Sequence, residues 1–255
     1  MQIIDRYAYS SRARVVDPMY KAGLALLVIV LCLVLDRPMV GLLAAAWMWG
    51  LATYWGGLPV LLFGRVLLAE AAFLLLTVAG VAVSVSTIPP AIGWSWNLGP
   101  LWVGCSPASL ETALRLATRA LGGTAAMNFL ALTTPLVDLI DALRRLKTPA
   151  LLIDLMTLVY RFLFTLLESL TRIHTAQESR LGYVNLSRGM SSAGVLAGQL
   201  FVDACHRSRR LQIALESRGY SGELRVLPAE YRRDWWLPWL GASIVASLFL
   251  ARVIA

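Results

Sequence analysis

The chain has 255 residues, 58% of them hydrophobic and 15% charged, with a formal net charge of +8 and a mean hydropathy of +0.67. That balance is too apolar for a water-soluble domain of this length and points to an all-α, polytopic membrane protein. Basic residues gathered on membrane-flanking segments account for the charge, so nucleic acid is not an expected partner; the lipid bilayer is.

The start, Met1-Gln2-Ile3-Ile4-Asp5-Arg6, has no apolar core before Lys21 and reads as a tail without a cleavable signal. About five transmembrane helices are expected: Ala22 to Leu35, Val40 to Trp55, Val66 to Ile88, a more amphipathic one from Ser109 to Leu132, and Trp235 to Ala255. The first is short, so Lys21 and Arg37 are expected to snorkel at its ends. Asp36-Arg37-Pro38 makes a tight reversal, Gly56-Gly57 and Pro59 break the second span, and Leu58 to Phe63 reads as re-entrant or interfacial. Basic residues in the tail (Arg6, Arg12, Arg14, Lys21) and between Leu136 and Asp234 place both on the cytosolic side. The stretch from Pro89 to Pro107 has no basic residue and faces out, with Trp94, Trp96 and Trp102 suited to the interface. The chain thus divides into a helix bundle with its tail (1–134), a cytosolic set of amphipathic helices (135–234) and a last span (235–255).

In that cytosolic segment Thr134 can cap a helix with Pro135 at its first position. Leu136, Leu139, Ile140, Leu143 and Leu146 form one apolar stripe, Asp141 faces Arg145 at i, i+4, and Lys147-Thr148-Pro149 ends the helix. A longer helix runs from Ala150 to Arg180, apolar in its first half and polar in its second. Another runs from about Ser192 to Arg218.

Those two helices end in one phrase used twice: Ala176-Gln177-Glu178-Ser179-Arg180-Leu181-Gly182-Tyr183 and Ala214-Leu215-Glu216-Ser217-Arg218-Gly219-Tyr220. Gly182 and Gly219 suit a left-handed residue closing a helix, and an arginine in the last turn complements the dipole. A lone Ser-Arg-Gly needs no more than that, and Ser187-Arg188-Gly189 is such a copy, without the Ala-x-Glu approach. Four identical residues in a stretch of five, plus Gly-Tyr, point further, to two equivalent docking points and hence to a partner with two equivalent sites.

Chemistry is sparse. There is no Gly-x-x-x-x-Gly-Lys-Ser/Thr loop and no Gly-x-Ser-x-Gly elbow, and His174 and His206 stand outside any His-Glu-x-x-His context. Cys32, Cys105 and Cys205 are too scattered for a disulfide framework or metal site. Within the spans, Glu70 (near the cytosolic end beside Arg65), Glu111, Arg115 and Arg119 read as structural groups, with Glu111 and Arg115 paired at i, i+4. No catalytic, cofactor-binding or metal-ligating set is expected in this chain.

The paired Ser-Arg phrases resemble the Ala-Arg-Gly-type coupling motifs of the transmembrane T component of energy-coupling factor transporters, a branch of the ABC importers. Thr133 to Leu143, continuing to Pro149, is similar to that family's first cytosolic helix. Ile4-Asp5-Arg6-Tyr7-Ala8-Tyr9 with Asp17-Pro18 and Lys21 looks like its cobalt-transport branch, CbiQ. The first copy departs from the pattern by having Leu181 where the family often has Gly, and both have Ser before the arginine. The resemblance implies a non-catalytic scaffold in the bacterial inner membrane, joining two ATPase subunits to a separate substrate-binding membrane subunit, CbiM-like and accompanied by a small CbiN-like protein. It assigns ATPase coupling to Ser179, Arg180, Leu181, Ser217, Arg218 and Gly219, and packing of the surface helix to Leu136, Leu139, Ile140 and Leu143. ATP would sit on the ATPases, and Co2+, or nickel or another micronutrient in the same role, on the substrate subunit. A self-contained secondary carrier would need symmetry among the spans, and an intramembrane enzyme would need partners for Glu70 and His174.

Overall fold

The computed structural model describes residues 7–86, 94–97, 102–105, 107–220, 222, 231–232, 235 and 237–254, with side chains outside 82–106 and 254. Ile4-Asp5-Arg6, the side chains of Trp94, Trp96, Trp102 and Cys105, and most of 221–236 therefore lie outside the described residues. The chain forms two compact units, Met1–Leu139 with Glu230–Ala255, and Ile140–Ala229.

In the first unit, a 3-10 turn (Arg12–Val15) leads into α1 (Pro18–Leu35). Asp17 caps α1 by accepting from the Met19 amide at 3.1 Å, and Pro18 takes the first helical position. The span therefore begins at Pro18 rather than Ala22. Lys21 does not snorkel: it is 1% exposed, because backbone carbonyls inside the unit receive its ammonium. Asp36 turns left-handed (φ 37°) and Pro38 opens α2 (Pro38–Gly50), which is the tight reversal the sequence implies. One π turn, Leu51–Trp55, continues α2 before Gly57 (φ 67°) ends it.

Helix α3 (Val60–Ala82) starts earlier than the hydrophobic run suggests. The Pro59 carbonyl accepts from the Leu62 and Phe63 amides at 2.9 and 3.4 Å, so Leu58 to Phe63 is a helix entry and not a re-entrant piece. This start also moves Glu70 to the middle of α3, away from its end. There the Asn128 amide donates to its Oε1 at 2.7 Å, while Oε2 is buried with no hydrogen-bond partner among the described residues. Helix α4 (Pro107–Thr133) packs against α1, α2 and α3, and α8 (Leu237–Ile254) against α1 and α2. Their shared core includes Val28, Cys32, Met48, Phe63, Phe129 and Leu248. Gly41 and Gly122 let α2 and α4 touch backbone to backbone, since a Cβ on Gly41 would run into the Thr118 carbonyl. Near the start of α4 the Glu111–Arg115 pair forms, and Arg119 meets Asp36 at 3.5 Å.

The helical architecture has one addition. Three four-residue strands, β1 (Val83–Ser86), β2 (Trp94–Asn97) and β3 (Trp102–Cys105), form an antiparallel sheet of order β1-β3-β2 in the tryptophan-rich connection. Val83 and Trp94 both register with Cys105. Alternating Val-Ser and Trp-Ser pairs have the period of a strand, so Val83–Ser86, expected inside the third span, lie beyond the helix that ends at Ala82, and the outward stretch is not a plain loop.

Helix α5 (Leu136–Arg145) follows a 99° bend after α4. Thr134 does not cap it. Its hydroxyl is buried without a partner among the described residues, and the Pro135 carbonyl instead accepts from the Asp138 and Leu139 amides, so helical geometry begins at Leu136. The boundary between the two units falls within α5, after Leu139, and helices α6 (Ala150–Glu178) and α7 (Leu186–Glu216) lie in the second unit. Helix α7 starts at Leu186, before the expected Ser192. By length and composition α1, α3 and α6 could each cross a membrane, as could α4 with α5 counted as one bent span. Helix α6 thus combines an apolar half long enough to enter a bilayer with a polar end.

Candidate docking site at two helix ends

Helix α6 runs out at Glu178. Ser179 remains helical, Arg180 follows, and Leu181 swings to φ 56°. The Leu181 amide donates to the Glu178 carbonyl at 3.0 Å and the Gly182 amide to the Gln177 carbonyl at 2.9 Å. That pair of bonds around a left-handed residue is a Schellman cap. Helix α7 ends in the same way. Gly219 takes φ 75°, its amide donates to the Glu216 carbonyl at 3.1 Å, and the Tyr220 amide to the Leu215 carbonyl at 3.0 Å. The serines match as well: Ser179 Oγ donates to the Ala176 carbonyl at 3.0 Å and Ser217 Oγ to the Ala214 carbonyl at 3.1 Å. Even the glutamates are approached alike, Glu178 by His174 at 3.8 Å and Glu216 by Gln212 Nε2 at 2.9 Å, each one turn earlier.

One expectation changes in detail. The left-handed residue of the first copy is Leu181, not Gly182, so the two glycines of the phrase are not equivalent. The extra residue in the first copy puts Leu181 where Gly219 stands, and Gly182 falls one place later. There a Cβ would meet Ser192 Oγ at 2.8 Å. The third tripeptide does something different: Ser187-Arg188-Gly189 lies in the first turn of α7, where the Gly189 amide bonds the Asn185 carbonyl at 2.8 Å. Ser-Arg-Gly alone therefore does not encode the cap.

Arg180 and Arg218 occupy the same position, the last residue before the left-handed turn, and both are exposed. Neither guanidinium has an ion pair or hydrogen bond among the described residues. Each sits at the negative end of a helix dipole, which favours the cation while leaving all its donors free for a partner.

A polar bracket holds the two helices together behind the tips. Ser169 is 1% exposed on α6 and donates to Asp203 of α7 at 3.0 Å. Arg207 Nε donates to Asp203 at 3.1 Å, and Arg207 and Arg172 donate to Ser169 Oγ at 3.1 and 3.3 Å. The hydrogen bonds from Arg207, then that from Ser169, hold the Asp203 carboxyl below its ordinary range. Beside the bracket, Phe162, Leu163, Leu166, Leu170 and Leu200 line an open apolar groove of about 340 Å3. No described residue of α7 is fully buried, and Val195, Phe201 and Ile213 are largely exposed.

The other predicted positions lie on α5. Ile140 is buried, Leu139 and Leu143 are half-buried, and Leu136 and Leu146 are exposed. Asp138 and Ala142 are buried instead, because Arg14 at 3.8 Å and the Tyr231 hydroxyl at 3.3 Å hold Asp138 inward and set the rotation of the first turn. Asp141 pairs with Arg145 at 3.2 Å as the spacing implies. The Ser169–Asp203 bracket escapes sequence reasoning. Only the Asp203–Arg207 spacing offered a signal for it, and nothing marked Ser169. Among the described residues no cluster of His, Cys, Asp and Glu could hold a metal ion.

Residues 10–228 match the family model described as CbiQ, cobalt transport protein. The chain is 32% identical to "Cobalt transport protein CbiQ" of Salmonella typhimurium over 88% of its own length and 99% of the relative's. It is 32% identical to "Putative fused cobalt transport protein CbiMQ" of Methanocorpusculum labreanum over 53% of this chain and 22% of that one. It is 31% identical to "Energy-coupling factor transporter transmembrane protein EcfT" of Staphylococcus aureus over 48% of this chain and 49% of that one. Two relatives of higher identity, 44% and 40%, are matched over 44% and 54% of their length, so the chain spans about half of them. With its apolar helices and twin helix caps, the chain belongs to the CbiQ family of cobalt transport proteins, the transmembrane T components of energy-coupling factor transporters.

Proposed function

We propose that this chain is the non-catalytic coupling subunit of an ATP-driven cobalt importer, with its tail and both arginine tips on the cytosolic side of the bacterial inner membrane. One observation carries the reading: two helices end in the same cap and each presents at the same position an exposed arginine with no ion pair or hydrogen bond among the described residues. Two related ATPase subunits, each offering an acidic groove, are the matching partner. Opposed charge would steer the encounter and the planar guanidinium fork would set its register. Closure of the ATPases around ATP would then displace the tips, and α5, α6 and α7 would carry that motion toward the bundle.

Substrate binding belongs, in this proposal, to a separate membrane subunit. The fused "CbiMQ" relative supports such a partner, since a single chain there bears both names. The free apolar flank of α7 and the groove beside it are suitable surfaces for a membrane partner. Reconstitution of the chain with an ATPase pair and a CbiM-like subunit in liposomes tests the proposal. ATP-dependent cobalt entry is expected with the wild-type chain and should be absent with Arg180→Ala/Arg218→Ala. Uptake that proceeds without this chain, or with the double variant, would refute it.

A further inference from the structure

The most deeply buried cation in the described structure is Lys21, and it joins three parts of the first unit. Its ammonium donates to the Ala13 carbonyl at 3.0 Å and to the Thr133 carbonyl at 3.2 Å. Both receiving residues are themselves 0% exposed. Thr133 is the last residue of α4, so its carbonyl is one of the acceptors that a helix end leaves without an intrahelical donor. It also stands at the elbow where the chain turns by 99° into α5.

Around this amine the neighbouring contacts converge on the same elbow. The Ser11 hydroxyl and the Arg12 amide both donate to the Gly56 carbonyl, at 2.9 and 3.2 Å, fixing the 3-10 turn to the end of the π segment. Arg14, in that turn, reaches Asp138 of α5, and Tyr231 donates to the same carboxylate. The Arg232 amide donates to the Val15 carbonyl at 2.9 Å. An ordinary helix end is closed by water or a glycine cap. Here a lysine from another helix enters the interior to do it, and burial of an ammonium is unfavourable unless its donors are met.

We propose that Lys21 is a positioning residue, a clasp that stiffens the α4–α5 elbow so that displacement of α5 is passed to the bundle instead of being lost in a flexible joint. The proposal rests on the coupling reading for its transport consequence, but not for the clasp. Asp138, held by Arg14 and Tyr231, is the second fastening, on the α5 side of the same joint.

Two measurements on the full chain separate the clasp from general stability. In nanodiscs, Lys21→Met keeps the length and packing of the side chain but removes its donors. Amide exchange across residues 134–139, where the Thr134 amide bonds Leu130 and the Leu139 amide bonds Pro135, should quicken by about tenfold, while exchange in α6 and α7 stays unchanged. In the reconstituted complex the same variant should keep ATPase association and hydrolysis near wild type, while metal imported per ATP falls by about fivefold. Lys21→Arg, which keeps charge but not fit, should fall between. Should Lys21→Met yield no folded protein, Asp138→Asn probes the second fastening and should show the same uncoupling with a smaller change. Wild-type exchange at the elbow, or an unchanged import-to-hydrolysis ratio in a variant that folds, would overturn the proposal. A wild-type chain that fails to bind any ATPase would refute the coupling reading instead, leaving the exchange experiment to decide the clasp.

Discussion

The two arginine tips share a cap, yet they differ in support. Behind Arg180 the chain is fastened. Gln177 Nε2 donates to the Ser192 carbonyl at 3.0 Å, the Tyr183 hydroxyl to Gln177 at 2.8 Å, and Ser192 Oγ to the Gly182 carbonyl at 2.9 Å. His174 stacks on Tyr183 with ring centroids 4.7 Å apart. Behind Arg218 the side-chain bonds among the described residues stay within α7 and its cap, with none to another helix, and Tyr220 is 41% exposed. The first tip tolerates a leucine in a left-handed conformation because the turn after it is pinned from α7. The second has no such help and uses glycine, for which that conformation is free. Identical backbone geometry is thus reached by two routes, which is what a requirement for the presented arginine, rather than for the surrounding residues, would produce.

The largest expected effect comes from removing both arginines. Each truncation should leave an acidic partner group unpaired, at a cost of about 2 to 5 kcal/mol. The Arg180→Ala/Arg218→Ala chain should therefore lose its ATPases in co-purification, while either single variant weakens association and stops transport. Lysine at either position should restore only part, since it keeps the charge without the planar fork.

Exchanging the cap residues is the next test. Gly219→Leu forces a branched side chain into φ 75° without the pinned turn, and should destabilise the α7 end by about 1 to 2 kcal/mol. Leu181→Gly should stabilise or leave unchanged the α6 end, within about 1 kcal/mol. Thermal unfolding of each variant checks the signs. Equal penalties at both positions would mean that the two tips do not differ as described.

Loosening the first tip should make it resemble the second. Gln177→Ala removes bonds to both Ser192 and Tyr183 and should cost about 1 kcal/mol or a little more. Exchange should rise around residues 177–183 and not around 214–220.

The smallest effect is set by pH and lies in the bracket common to both tips. The Asp203 carboxyl is held below its unfolded range, so its contribution is complete above about pH 4 and is lost as pH falls through the depressed folded value. Between pH 5 and pH 8 the α6–α7 pair should show no dependence from this group. Asp203→Asn should remove this group's share of the loss on further acidification, so that unfolding curves at pH 3 and pH 6 differ less for the variant than for wild type.

Much of the site was readable because its signals are local. Two helices ending in Ser-Arg, the Asp141–Arg145 pair, the Asp36 reversal and the break after Trp55 all follow from spacing, turn residues and dipoles. What escaped depends on distant chain. Lys21 reads as a snorkelling cation until the Ala13 and Thr133 carbonyls are seen to enclose it, and α5 is rotated by the hold of Arg14 and Tyr231 on Asp138. Leu181 resisted prediction for the same reason, since no local rule puts leucine at a left-handed cap without the Ser192 contacts behind it.

The central claim, that the two tips are equivalent docking points for a two-sited partner, is tested most directly by titrating the purified ATPase pair onto nanodisc-held chain in five forms. Wild type should bind tightly and Arg188→Ala should match it, because that arginine opens a helix instead of closing one. Arg180→Ala and Arg218→Ala should weaken binding to similar degrees, and their combination should abolish it. Binding of the double variant at wild-type strength would contradict the account and reduce both phrases to ordinary helix ends.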